Sequence, residues 1–100
     1  MNNFSSEEQR IIVAILIAIM EADGIIDPHE TEFLDNVIKQ FHLSQEELDH
    51  ISEFAINLIM QNFKKLDKEK KDAAIALFVG MAKCDGFADP RELRIIENLK

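Results

Sequence analysis

One eight-residue pattern recurs in this chain. Asp23-Gly24-Ile25-Ile26-Asp27-Pro28-His29-Glu30 returns, after a shift of 62 residues, as Asp85-Gly86-Phe87-Ala88-Asp89-Pro90-Arg91-Glu92, with five of the eight positions identical. The register extends to both sides. Ala14, Ala18 and Ala22 fall over Ala76, Gly80 and Cys84, while Phe33, Leu34 and Val37 match Ile95, Ile96 and Leu99 in character. A period this long, used twice, is no solenoid repeat. It predicts one helix–loop–helix unit used twice, over about 5–41 and 68–100, with a linking helix at about 45–63 and an approximate twofold axis between the units.

The helical reading comes from caps and spacing. Ser5-Ser6-Glu7-Glu8 and Ser44-Gln45-Glu46-Glu47 read as capping boxes, in which a serine and a glutamate three residues on satisfy each other's free backbone N–H groups. Asp27-Pro28 and Asp89-Pro90 place a capping carboxylate before a proline at the first helical position. Gly24 and Gly86 supply left-handed stops just past the preceding helices, and Asp67 caps a helix running to about Lys83. Phe33, Leu34, Val37, Ile38 and Phe41 form one apolar stripe. Leu48, Ile51, Ala55, Leu58, Ile59 and Phe63 form another. Ile11–Met20 and Ala73–Ala82 carry no charged residue on any side, the pattern of helices surrounded by others. The expectation is an all-α, five-helix bundle in a single domain, with two central apolar helices crossing where Gly80 and Ala18 allow close approach.

Composition removes several classes of function. One Cys among 100 residues excludes a disulfide framework and a cysteine-based zinc site, and points to a reducing, cytoplasmic setting. The longest apolar run, Ile11 to Met20, is ten residues, about half of what a bilayer span requires. A formal charge of −8 disfavours nucleic acid and anionic membrane as general partners. That charge is unevenly spread. Residues 1–50 hold eleven acidic and two basic side chains, a charge of −9, and residues 51–100 hold nine basic and eight acidic, a charge of +1. Lys64, Lys65, Lys68, Lys70 and Lys71 form the basic cluster, read as a solvated face or a contact for something acidic. No Ser/His/Asp or Cys/His constellation stands in a recognisable motif, so the chain is expected not to be an enzyme.

The chemistry centres on D-G-x-x-D-P-x-E. Its two copies offer Asp23, Asp27 and Glu30, then Asp85, Asp89 and Glu92. Carboxylate oxygens are hard ligands suited to Ca²⁺ or Mg²⁺, although the spacing is not that of an EF-hand. Helix capping accounts for Gly24, Asp27, Pro28 and Glu30 and their second-copy equivalents without a ligand. It does not account for Asp23 and Asp85, which sit at helix C-termini, where the helix dipole disfavours negative charge. Both readings stay open: a cation-binding or partner-binding loop pair, and a purely structural motif that caps helices. His29 lies inside the first copy, but its counterpart is Arg91, which cannot bind a metal.

A helix ending in Ala22-Asp23-Gly24, followed by Asp27-Pro28-x-Glu30, resembles the TerB-like tellurite-resistance family. The same domain type precedes the J-domain in some membrane-anchored co-chaperones. The resemblance runs from the Ile11 helix through Leu99 and includes the motif's second occurrence, departing at Cys84 where the first copy has Ala22. It implies an all-helical domain with clustered acidic residues, proposed to bind metal ions or partner proteins in bacterial stress responses.

Overall fold

A computed structural model describes residues 4–22, 27–51, 55–84 and 90–99. Six helices and no strand occur among them: α1 (Ser6–Glu21), α2 (Pro28–Phe41), α3 (Gln45–Ile51), α4 (Ile56–Lys64), α5 (Lys68–Ala82) and α6 (Pro90–Leu99). The caps fall where local chemistry places them. Glu8 N–H donates to Ser5 Oγ at 3.1 Å and Ser5 N–H to Glu8 Oε1 at 2.7 Å, a complete box at the start of α1. Ser44 and Glu47 repeat the exchange at α3. Asp67 opens α5 by accepting from Lys70 N–H at 2.9 Å. Helix α5 begins 62 residues after α1, and α6 begins 62 residues after α2. The glycine stops at Gly24 and Gly86, and the Asp89 cap, lie outside the described residues.

The helix expected over 45–63 is two helices. Ala55 is extended (φ −70°, ψ 131°) and begins α4 without a side-chain cap. No Gly, Pro or capping side chain at that position announces the break. Its cause is global. An unbroken helix over 45–63 would run about 28 Å, the width of the whole domain at 31 × 28 × 26 Å. Broken, both halves pack on α1. The apolar face therefore does not continue from one piece to the next. Ile51, Ile59 and Phe63 are buried, but Leu58 stands 52% exposed.

The two apolar helices also differ from expectation. Helix α1 packs against each of the other five, and Ile12, Val13, Ala14, Ile15, Leu16 and Ile19 are buried along it. Helix α5 packs on α1, α2 and α6 and buries Ala74, Phe78, Met81 and Ala82, leaving Ala76 exposed. The core thus has one encircled helix and one flanked helix. Gly80 is not placed by a crossing with Ala18. A Cβ there would lie 3.2 Å from Phe33 Cζ and 3.3 Å from Cε2, so the missing side chain makes room for a ring on α2. Cys84, which follows Ala76 and Gly80 at four-residue steps, is partly exposed.

Two ring contacts lie within the buried core. Phe4 meets Phe41 edge-on at 6.1 Å, tying the segment before α1 to the end of α2, and Phe63 packs on Phe78 at 5.5 Å. Helix α2 ends at His42 in the left-handed region (φ 57°), a conformation that histidine tolerates better than most non-glycine residues. Among the described residues no helix is long and apolar enough to cross a membrane.

Candidate functional site

The acidic motif is best built from the start of α2. Pro28 sets the first helical φ and needs no N–H partner. Asp27 precedes it in extended conformation, and its carboxylate accepts from His29 N–H at 2.7 Å. Ser5, Ser44 and Asp67 instead take the N–H three residues on. The His29 ring folds back to the same oxygen, with Nδ1 at 3.1 Å from Asp27 Oδ1, while remaining largely exposed. The His29 N–H, seconded by its ring, holds the Asp27 carboxyl below the usual carboxylate range; partial desolvation opposes this. Thr31 Oγ1 donates to Asp27 O at 3.2 Å, so the turn is bound by side chain and backbone alike.

Glu30 behaves differently. It is 3% exposed, and its counterpart Glu92, in the first turn of α6, is 2% exposed. They are the two buried charged side chains among the described residues. A carboxylate withdrawn from water is costly unless it is hydrogen-bonded or paired. Both are engaged, and no buried side-chain oxygen or nitrogen among the described residues lacks a partner. Their position at helix N-termini adds a favourable dipole term. A signal for this burial was present in the sequence. Glu30 stands four, seven and eleven residues before Leu34, Val37 and Phe41, all buried, and Glu92 stands four and seven before buried Ile96 and Leu99. A glutamate at the head of an apolar stripe faces the core with the rest of it.

Asp23, Asp85 and Asp89 lie outside the described residues. Of the proposed carboxylate set, the structure therefore places Asp27 and Glu30 in one helix turn and Glu92 in another. Among the described residues no group of three or more His, Cys, Asp or Glu side chains is arranged to hold a metal ion. Asp27 is committed to the backbone N–H and ring of His29, with the Glu30 N–H adding to the hold on its carboxylate.

Two features were invisible in local patterns. Lys70 Nζ lies 2.9 and 3.1 Å from the two Glu8 oxygens, joining the first turns of α1 and α5. The Ser5 N–H and then the Lys70 ammonium hold the Glu8 carboxyl down, and Glu8 in turn raises Lys70. A cavity of about 360 Å³ opens between α1, α3 and α4, lined by Ile11, Leu58 and Ile59 together with Arg10, His50 and Asn62.

A family model described as tellurite resistance protein TerB matches residues 1–53, the stretch holding α1, α2, α3 and the first copy of the acidic motif. No curated protein and no solved structure matches the chain.

Proposed function

The chain belongs to the TerB family of tellurite resistance proteins, and from that membership we propose that it is a non-enzymatic, cytoplasmic accessory module of the stress-response type. Its binding element is the duplicated acidic loop, and its ligand there is a divalent cation. One observation carries this reading: Glu30 and Glu92, 62 residues apart, are both buried in the first turn of a helix that follows an acidic loop. A carboxylate buried in the first turn of each of these helices, where its charge must be satisfied locally, is a means of fixing that helix's start. Asp23 and Asp27 in one copy, and Asp85 and Asp89 in the other, then supply the outer oxygens that Ca²⁺ or Mg²⁺ prefers.

The duplication is part of the proposal. Helix α1 packs on α2 as α5 packs on α6, and α1 and α5 each touch the other pair's second helix. The Glu8–Lys70 bond joins residues 62 apart. A contact between corresponding residues lies on the axis that relates them, which supports an approximate twofold between the units.

A second reading has its own support. Asp27 spends its carboxylate on His29 N–H, as a cap does without any metal, so the motif works as a structural element of a protein-interaction module. Melting temperature in millimolar Ca²⁺ or Mg²⁺ against a chelator separates the two. Cation binding to the folded state raises it by mass action, and the rise disappears in both Asp23→Asn and Asp85→Asn. An unchanged wild-type melting temperature removes the cation and leaves the interaction module.

A further inference from the structure

The acidic protein carries a basic groove at the opposite kind of site. Between the end of α4 and the first turns of α5, Lys64, Leu66, Lys68, Lys71, Asp72 and Ile75 line an open depression of about 500 Å³. Lys71 and Asp72 stand three and four residues after Lys68, and Ile75 stands three after Asp72 and four after Lys71, which places them along one face of α5. Leu66 and Ile75 are half-buried and make an apolar floor, and Lys64 and Lys68 stand exposed above it. Among the described residues none of the three lysines has a carboxylate within ion-pair distance, whereas their neighbour Lys70 is bound to Glu8. Asp67, nearby in sequence, is occupied as the cap of α5. Lys68 and Lys71 also sit at the positive end of a helix dipole and repel each other three residues apart. This arrangement works against the helix that bears it. An anionic occupant would offset it.

We propose that this groove docks an acidic segment of a partner protein, with an apolar side chain of that segment on Leu66 and Ile75 and its flanking carboxylates on Lys64, Lys68 and Lys71. Charge complementarity selects an anion. The concave apolar floor selects a peptide over a free phosphate, which would have no use for it. A membrane is disfavoured because three lysines would have to hold a body of net charge −8 against an anionic surface. The absence of aromatic residues among the groove's lining side chains removes the stacking that single-stranded nucleic acid uses.

The test is a titration of the full chain, followed by amide NMR shifts, with a short blocked peptide in which Glu and Asp flank two Leu. Shifts at Leu66, Lys68, Lys71 and Ile75 are expected, weakening with added salt and lost when the peptide's Leu are replaced by Ser. The double variant Lys68→Glu with Lys71→Glu should weaken the peptide by about tenfold or more. Its melting temperature should hold or rise, since acidic side chains suit a helix's first turn, so lost binding cannot be mistaken for lost folding. The proposal is overturned if the peptide causes no shifts at these residues. It is equally overturned if inorganic phosphate or phosphatidylglycerol vesicles shift the same residues while the peptide does not. Concentration-dependent self-association abolished by the same double variant would give the groove to a second copy instead.

Discussion

Helices α1–α2 and α5–α6 share a register but not a surface. In both pairs a capped helix starts the unit, a proline starts the second helix, and a glutamate two residues after that proline is buried. Leu34 and Val37 in α2 are matched by Ile96 and Leu99 in α6, all four buried. The outward positions have diverged. Glu8 stands where the other pair has Lys70, and His29 where it has Arg91. Interior positions answer to packing and burial, which punish small changes, whereas a surface side chain tolerates a change of charge at little cost. The comparison teaches that the first pair carries the acidic character of the domain, the second pair the lysines, and the core little difference between them.

The largest effects should come from the shared interior. Leu16 and Phe78 correspond to each other, and both are fully buried. Leu16→Ala should cost about 2–5 kcal/mol and Phe78→Ala about 3–5 kcal/mol in denaturant unfolding. A near-neutral Phe78→Ala beside a severe Leu16→Ala would break the comparison, making α5 an accessory to a core built by α1.

Next comes the place where the pairs differ inside. Gly80 faces the Phe33 ring, and the corresponding residues are Ala18 and Ile95, a larger helix residue with a smaller partner. Gly80→Leu should overpack by about 1–3 kcal/mol. Phe33→Leu should recover part of that cost in a double-mutant cycle. Additivity of the two changes would mean that the ring is not what the glycine accommodates.

Caps should weigh about equally in the two pairs. Ser5→Ala and Asp67→Ala are each expected to cost about 1 kcal/mol, and Asp67→Asn much less, because asparagine caps nearly as well. Unequal losses at 5 and 67 would show that one helix start is held by its tertiary contacts instead.

The smallest effect is the one that joins the pairs. Glu8 is held below its ordinary value, so its contribution is present above that value and fades as pH falls through the lowered one. Lys70 is held above its ordinary value, so its contribution is present at neutral pH and fades as pH rises through the raised one. Glu8→Gln should flatten the acid limb of melting temperature against pH, and Lys70→Met the alkaline limb. Both should narrow the gap between low and high salt. An acid limb unchanged in Glu8→Gln would assign that limb to Asp27, whose carboxyl is also held down.

Helix starts were legible because a cap is a bond between residues two or three apart, and the side chains that make it are few. Ser5, Asp27, Ser44 and Asp67 could all be read directly. The end of α2 was harder, since His42 occupies a conformation usually marked by glycine. At the candidate site the residue types were legible and their disposition was not. Asp27 and Glu30 look alike as members of one motif, yet the first is bonded at the helix mouth and the second is sunk beneath it.

By itself the sequence determined the all-helical class, the starts of every helix but α4, the 62-residue correspondence and the acidic-to-basic division of the chain, since each depends on composition, on the residues in order or on neighbours within a turn. Tertiary structure alone decided the break at Ala55, the encirclement of α1 but not α5, the ring against Gly80 and the Glu8–Lys70 bond. These join residues distant in the chain. Their energies depend on how whole helices share a limited volume, and no local pattern carries that information.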